Sequence, residues 1–172
     1  MPNDVPGFAQ YTSYFPASYV KWLEAAGARV VPLQYTADAD ATRAMLQSLN
    51  GALFTGGGSE FTNPDGSLTP FAQTALLIFN ESVQAWSRGE SWPLWGTCQG
   101  HELISFLASG LNMSTLTGGF DSENLTLPLA FTPAAAGSRM YGALDASVVT
   151  TFATQPVTMN NHQSASAHAR PC

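Results

Sequence analysis

The stretch "WPLWGTCQGHELISFLASG", residues 92–110, decides the fold. Residues 92–97 read as a short apolar strand, 96–100 as a tight glycine-flanked turn, and 102–109 as a helix that Gly110 stops. Gly96-Thr97-Cys98-Gln99-Gly100 is therefore G-x-C-x-G between a strand and a helix, the pattern of a nucleophile elbow. Glycines two residues to either side allow the sharp bend and keep its surroundings clear. The side chain at the top is thrust up at the carboxyl end of the strand, where clefts of open α/β sheets lie. The helix that follows points its free N–H groups at the sulfur and favours negative charge there. A cysteine packed as a small apolar residue is the commoner fate of that side chain. A strand before it, a helix after it and a glycine-rich turn on the neighbouring strand favour the nucleophile.

That turn is "LFTGGGSE", residues 53–60. Such loops often only reverse the chain. Beside an elbow, the Gly57 N–H together with the N–H of Gln99 is placed to hold the negative oxygen of a tetrahedral intermediate. A phosphate-binding loop would need a lysine that is absent from this stretch.

Outward from the elbow, helical and strand signals alternate. "PASYVKWLEAAG" sets Tyr19, Val20, Leu23 and Ala26 at helical spacing, with Gly27 as the stop, and "ARVVPL" follows as a short strand. "DADATRAMLQSLN" has Asp38 or Asp40 as its cap, with Ala41, Met45 and Leu49 on one face. "GALF" is the next strand. Thr69-Pro70 opens a helix through Ser87, with Thr as cap and Pro at the first position. The order β-α-β-α with short connections predicts one α/β domain, an open, mostly parallel sheet with helices on both faces. Beyond Leu111, "NLTLPLAF" reads as a strand, "LDASVVTTFA" is open between helix and strand, and "PVTMNNH" is extended. Residues 163–172 are small, polar and patternless, and read as a disordered tail. No opening strand is legible in residues 1–15 and no strand-helix unit follows His162, so the sheet is expected to be incomplete, with unpaired edges that invite aggregation.

Composition narrows the function. With 172 residues, 45% of them hydrophobic, the chain is globular, and its charged residues are only 10%. A net charge of −6 with Lys21 as the only lysine argues against nucleic acid as a partner, and no apolar run is long enough to span a bilayer. The N-terminus has no basic region and no apolar run, so it is not a signal peptide as it stands. Three sequons, at Asn80, Asn112 and Asn124, pull towards a secretory or vacuolar setting. Two cysteines, 98 and 172, form no disulfide framework, no His/Cys/Asp/Glu set has metal-ligand spacing, and no cofactor is implied.

A cysteine nucleophile needs a base. His101 sits at the start of the helix after the elbow, where packing or capping is its simpler role, and His168 lies in the tail. His162 ends an extended segment; spacing alone favours an ordinary surface histidine there.

"ASYVKWLEAAGARVVPL", "NGALFTGGGSE", the elbow stretch and "TMNNHQ" together resemble the γ-glutamyl hydrolase family, within the class I glutamine amidotransferase-like superfamily, over residues 14–162. The resemblance implies a flavodoxin-like three-layer fold and hydrolysis of γ-glutamyl bonds in folyl- or antifolate-polyglutamates through a thioester on Cys98. It implies Gly57 and Gln99 as oxyanion donors, and Glu102, His162 and Tyr14 as substrate contacts. It further implies a glycosylated vacuolar, lysosomal or extracellular protein, with a homodimer as one assembly open to it. Glutamine amidotransferases usually carry Gln where Glu102 stands, and they feed a synthase, so Glu102 favours a hydrolase. In the family the base is the histidine of a W-H-P motif, and no W-H-P occurs in these residues. Because a positioned base contributes about 10²- to 10⁴-fold, the 172 residues alone are expected to have little activity. The alternatives are an impaired scaffold that dimerises or binds a partner, and a glutaminase-type amidotransferase domain.

Overall fold

The computed structural model describes residues 6–7 and 10–166, which group into two units, one through Leu116 and a second from Thr117.

In the first unit, α1 (Ala17–Ala25), α2 (Ala39–Leu46), β1 (Ala52–Phe54), α3 (Pro70–Ser87), β2 (Leu94–Gly96) and α4 (Gln99–Ala108) follow in chain order. β1 and β2 pair in parallel, Ala52 with Leu94, Leu53 with Trp95 and Phe54 with Gly96. The fold is mixed α/β with a small parallel sheet. The helix boundaries follow their signals. Thr69 caps α3 by accepting the Ala72 N–H at 3.3 Å, with Pro70 at the first position, and Asp38, rather than Asp40, caps α2 by accepting from Asp40 and Ala41.

Two expectations fail here. Residues 28–33 belong to neither sheet, since no described strand pairs with them; an apolar run becomes a strand only when its backbone finds a ladder. The buried face of α2 is Thr42 and Leu46, with Leu49 half-buried just beyond, while Ala41 and Met45 face outward. Thr42 tolerates burial because its hydroxyl donates to the Asp38 carbonyl at 2.9 Å. In α1 the half-buried face is Tyr19, Val20 and Leu23, and Ala26 is exposed.

The core lies between α3, α4 and the sheet. Leu103, Phe106 and Leu107 of α4 bury against Phe61, Ala75 and Ile78, and the Phe61 and Phe106 rings stack at 5.5 Å. Trp92 closes one end, its indole N–H donating to the Leu49 carbonyl at 2.9 Å. An apolar cavity of about 200 Å³ remains among α1, residues 29–35, β1 and α3.

In the second unit, β3 (Leu116–Leu127) pairs with β4 (Thr158–Ser166), and α5 (Ala146–Thr154) lies between them in sequence. Ser122 reaches His162, Asn161 reaches Asn124, Asn160 reaches Leu125 and Thr158 reaches Leu127, so the strands run antiparallel. β3 begins earlier than "NLTLPLAF" and stops before Pro128, which has no N–H to donate. The ambiguous 144–153 stretch is helical. β4 takes in residues 163–166; residues 167–172, with His168 and Cys172, lie outside the described residues. Between Thr117 and His162 no residue is buried.

Replacing Phe106, which is fully buried, with Ala is expected to destabilise the first unit by about 3–5 kcal/mol. Urea unfolding checks this; a cost below about 1 kcal/mol would contradict the packing described.

Candidate functional site

The elbow forms because three segments meet within van der Waals distance. β2 ends at Gly96, the Thr97 N–H donates to the Phe54 carbonyl at 3.1 Å, and α4 starts at Gln99. Cys98 between them has φ 55° and ψ −122°, a backbone conformation that L-residues adopt rarely and at a cost of about 1–3 kcal/mol. The flanking glycines are steric requirements. A Cβ on Gly100 would stand 2.2 Å from the Phe54 carbonyl oxygen, and one on Gly96 would stand 2.4 Å from the Gly100 carbonyl oxygen. The strand, tight turn and helix expected around G-x-C-x-G are present.

The glycine-rich loop lies against the cysteine. A Cβ on Gly56 would meet Cys98 Cβ and the Tyr19 hydroxyl, each at 3.0 Å, and Cys98 Sγ at 3.5 Å. Tyr19 Oη accepts the Gly56 N–H at 2.9 Å. The Gln99 carboxamide, 8% exposed, pairs at both ends with the main chain of Ser59: Oε1 accepts the Ser59 N–H at 2.9 Å and Nε2 donates to the Ser59 carbonyl at 2.7 Å. Between these anchors Gly57 and Gly58 are exposed. Among the described residues the backbone N–H groups of Gly57 and Gln99 have no hydrogen-bond partner. Cys98 is a half-buried free thiol. The large apolar cavity is not this site: the Tyr19 ring lines it, but Cys98 does not.

The remaining expected residues fall as follows. Glu102 is half-buried in the first turn of α4, one turn beyond Cys98, and its N–H reaches the Cys98 carbonyl at 3.3 Å. His101 beside it is exposed. Tyr14 is half-buried ahead of α1. His162 is half-buried on β4, in the second unit, with its carbonyl accepting from Ser122 at 2.8 Å. All three sequon asparagines are exposed: Asn80 within α3, Asn112 capping the 3-10 turn at 113–115, and Asn124 on β3 with φ 53°. Among the described residues no cluster of three or more His, Cys, Asp or Glu is placed to hold a metal ion, and no helix is long and apolar enough to cross a membrane.

Two contributors escaped the sequence. Tyr19 reads as part of the apolar face of α1, and nothing in its spacing marks its hydroxyl. The Gln99 side chain did carry a signal. It shares a helical face with Leu103, Phe106 and Leu107, so it had to be buried, and a buried carboxamide needs partners.

The elbow belongs to a matched segment. Residues 5–119 match the family described as Peptidase C26, which takes in the whole helical pattern of the first unit. The chain belongs to the peptidase C26 family. Its similarity to curated relatives runs further along the sequence. The human γ-glutamyl hydrolase is 37% identical over 150 residues, covering 87% of this chain and 45% of the human one. The mouse γ-glutamyl hydrolase is 35% identical over 150 residues, with the same 87% and 45% coverage. The γ-glutamyl hydrolase B of Dictyostelium discoideum is 34% identical over 151 residues, 87% of this chain and 42% of its own. This peptidase C26 chain spans less than half the length of the curated relatives it matches.

Glycine substitutions test the elbow. Gly100→Ala is expected to cost about 3 kcal/mol or more, since its new methyl group would overlap a main-chain oxygen that has no room to retreat. Gly58→Ala, with open space around the new methyl group, is expected to stay within about 0.5 kcal/mol of the parent. Equal urea midpoints for the two variants would contradict the geometry.

Proposed function

We propose that the chain carries the nucleophilic part of a γ-glutamyl hydrolase acting on the polyglutamate tails of folates or antifolates. The observation that carries this reading is Cys98, held in a left-handed elbow at the N-terminus of α4 and against the Gly56 loop. The relatives' names supply the bond type. The Cys98 thiolate attacks the γ-carbonyl carbon, and the tetrahedral oxyanion takes hydrogen bonds from the N–H groups of Gly57 and Gln99. Collapse breaks the C–N bond, the departing glutamate amine takes up the proton given up by the thiol, and water hydrolyses the thioester. Glu102, His162 and Tyr14 are assigned to the substrate. Glu102 sits one turn beyond the nucleophile, where a carboxylate suits a hydrogen bond from an amide N–H of the γ-linked tail.

The same reading extends to the architecture, a class I glutamine amidotransferase-like sheet with helices on both faces over residues 14–162. It extends also to a vacuolar, lysosomal or extracellular setting and to a homodimer. Of the three sequons Asn112 is favoured for a glycan, because it lies in an exposed turn where its Oδ1 accepts from both the N–H and the hydroxyl of Ser114. Asn80 instead sits inside α3, and the Ser82 hydroxyl of its sequon is engaged with the Trp92 carbonyl at 2.7 Å.

The test uses the half-reaction that Cys98 performs itself. Incubated with a synthetic pteroyl-γ-glutamate oligomer, the chain is expected to gain an acyl mass on Cys98 and to release glutamate or a short γ-glutamyl peptide in a single slow turnover. The substrate should also slow alkylation of Cys98 by iodoacetamide. Cys98→Ser is expected to release no glutamate. Release by that variant at the parent rate, or an α-linked oligomer protecting as well as the γ-linked one, would overturn the reading. After expression through a eukaryotic secretory route, Asn112→Gln is expected to lose one glycan-sized mass step, and an unchanged mass distribution would contradict that assignment.

A further inference from the structure

Gly57 and Gly58 form an exposed pair with no side chains, and glycine is the residue with most conformational freedom to lose. A donor on such a span stabilises an oxyanion only if it is already fixed when charge develops. The structure shows what fixes it. On one side the Tyr19 hydroxyl accepts the Gly56 N–H, and on the other the Gln99 carboxamide pairs with both polar groups of Ser59, at 2.9 and 2.7 Å. Gln99 is almost wholly buried, so the exchange of these bonds for water is costly and the pairing is persistent.

We propose that the Gln99 side chain is a positioning residue that couples the two halves of the oxyanion site. Its own backbone N–H is one donor, and its carboxamide, through Ser59, holds the loop that carries the other, with Tyr19 as the second anchor. The proposal rests on the acyl-transfer reading of Cys98 but not on the identity of the substrate.

The experiment compares two reagents on the full 172-residue chain. p-Nitrophenyl acetate acylates the thiolate through a tetrahedral intermediate: the C–S bond forms, the ester C–O bond breaks, and p-nitrophenolate leaves. Iodoacetamide alkylates the same sulfur by displacement of iodide, with no oxyanion. Gln99→Met keeps the backbone donor and the side-chain length but loses both bonds to Ser59. It is expected to lower Cys98 acylation about 10- to 100-fold, a fraction of the 10²–10³ for removal of one oxyanion donor, with alkylation changed less than about 3-fold. Tyr19→Phe is expected to move the same ratio in the same direction. Gln99→Glu supplies a conservative rescue. A protonated carboxyl offers one donor and one acceptor, enough to replace both amide bonds to Ser59, while the carboxylate only accepts. Its acylation-to-alkylation ratio should climb towards the parent value as pH is lowered from 8 to 5, whereas that of Gln99→Met should stay flat. Parallel losses in both reactions, or ratios equal to the parent in Gln99→Met and Tyr19→Phe, would overturn the proposal alone. The absence of any Cys98-dependent p-nitrophenolate burst in the parent would overturn the acyl-transfer reading and the proposal with it.

Discussion

The close approach of Gly100 to the Phe54 carbonyl is the contact on which the first unit depends. It lets the N-terminus of α4 rest directly on the end of β1, which no residue with a Cβ would permit. With that distance set, Thr97 completes its hydrogen bond to Phe54 and Cys98 is forced into its left-handed conformation. The same approach drops Leu103, Phe106 and Leu107 into the core beside Phe61. Strain at Cys98 is of the order of 1–3 kcal/mol, while each of those side chains contributes about 1.5–3 kcal/mol on burial. Packing therefore outweighs the strained backbone, and Cys98 is held in a shape that the peptide alone would abandon.

What was legible in the sequence was local. Thr69-Pro70 marks the start of α3 because its capping chemistry lies within a few residues, and G-x-C-x-G marks the elbow because both steric constraints act inside five residues. What failed was non-local. Residues 28–33 have the composition of a strand, but pairing is a property of a neighbour that composition does not encode. The face of α2 was misread by one position because eight residues give little more than two turns of period, and Thr42, a polar residue that satisfies itself against Asp38, outranked Ala41 for burial. The site divides in the same way. Cys98 and the backbone donors follow from a motif, whereas the anchors join residues 37 and 40 positions apart in the chain.

The second unit is built on different terms. Its strands are joined by side-chain bonds from Ser122, Thr158, Asn160 and Asn161 as well as by their ladder, and no residue from Thr117 to His162 is buried. Exposed hydrogen bonds exchange readily with water and add little net stability. A ribbon of this kind opens at low free energy.

The proposed oxyanion site relies on neutral donors. Stabilising an oxyanion with a lysine or arginine would also pull on the thiolate before any substrate arrives, and binding both anions equally gains nothing in rate. Peptide N–H groups act over shorter range and with direction, so they discriminate between a sulfur in one place and an oxygen in another. That advantage requires a stationary loop, and two adjacent glycines are the least stationary sequence available. The anchors that fix them, a tyrosine hydroxyl and a carboxamide, are neutral. They supply rigidity to the proposed oxyanion site without adding a charge beside Cys98.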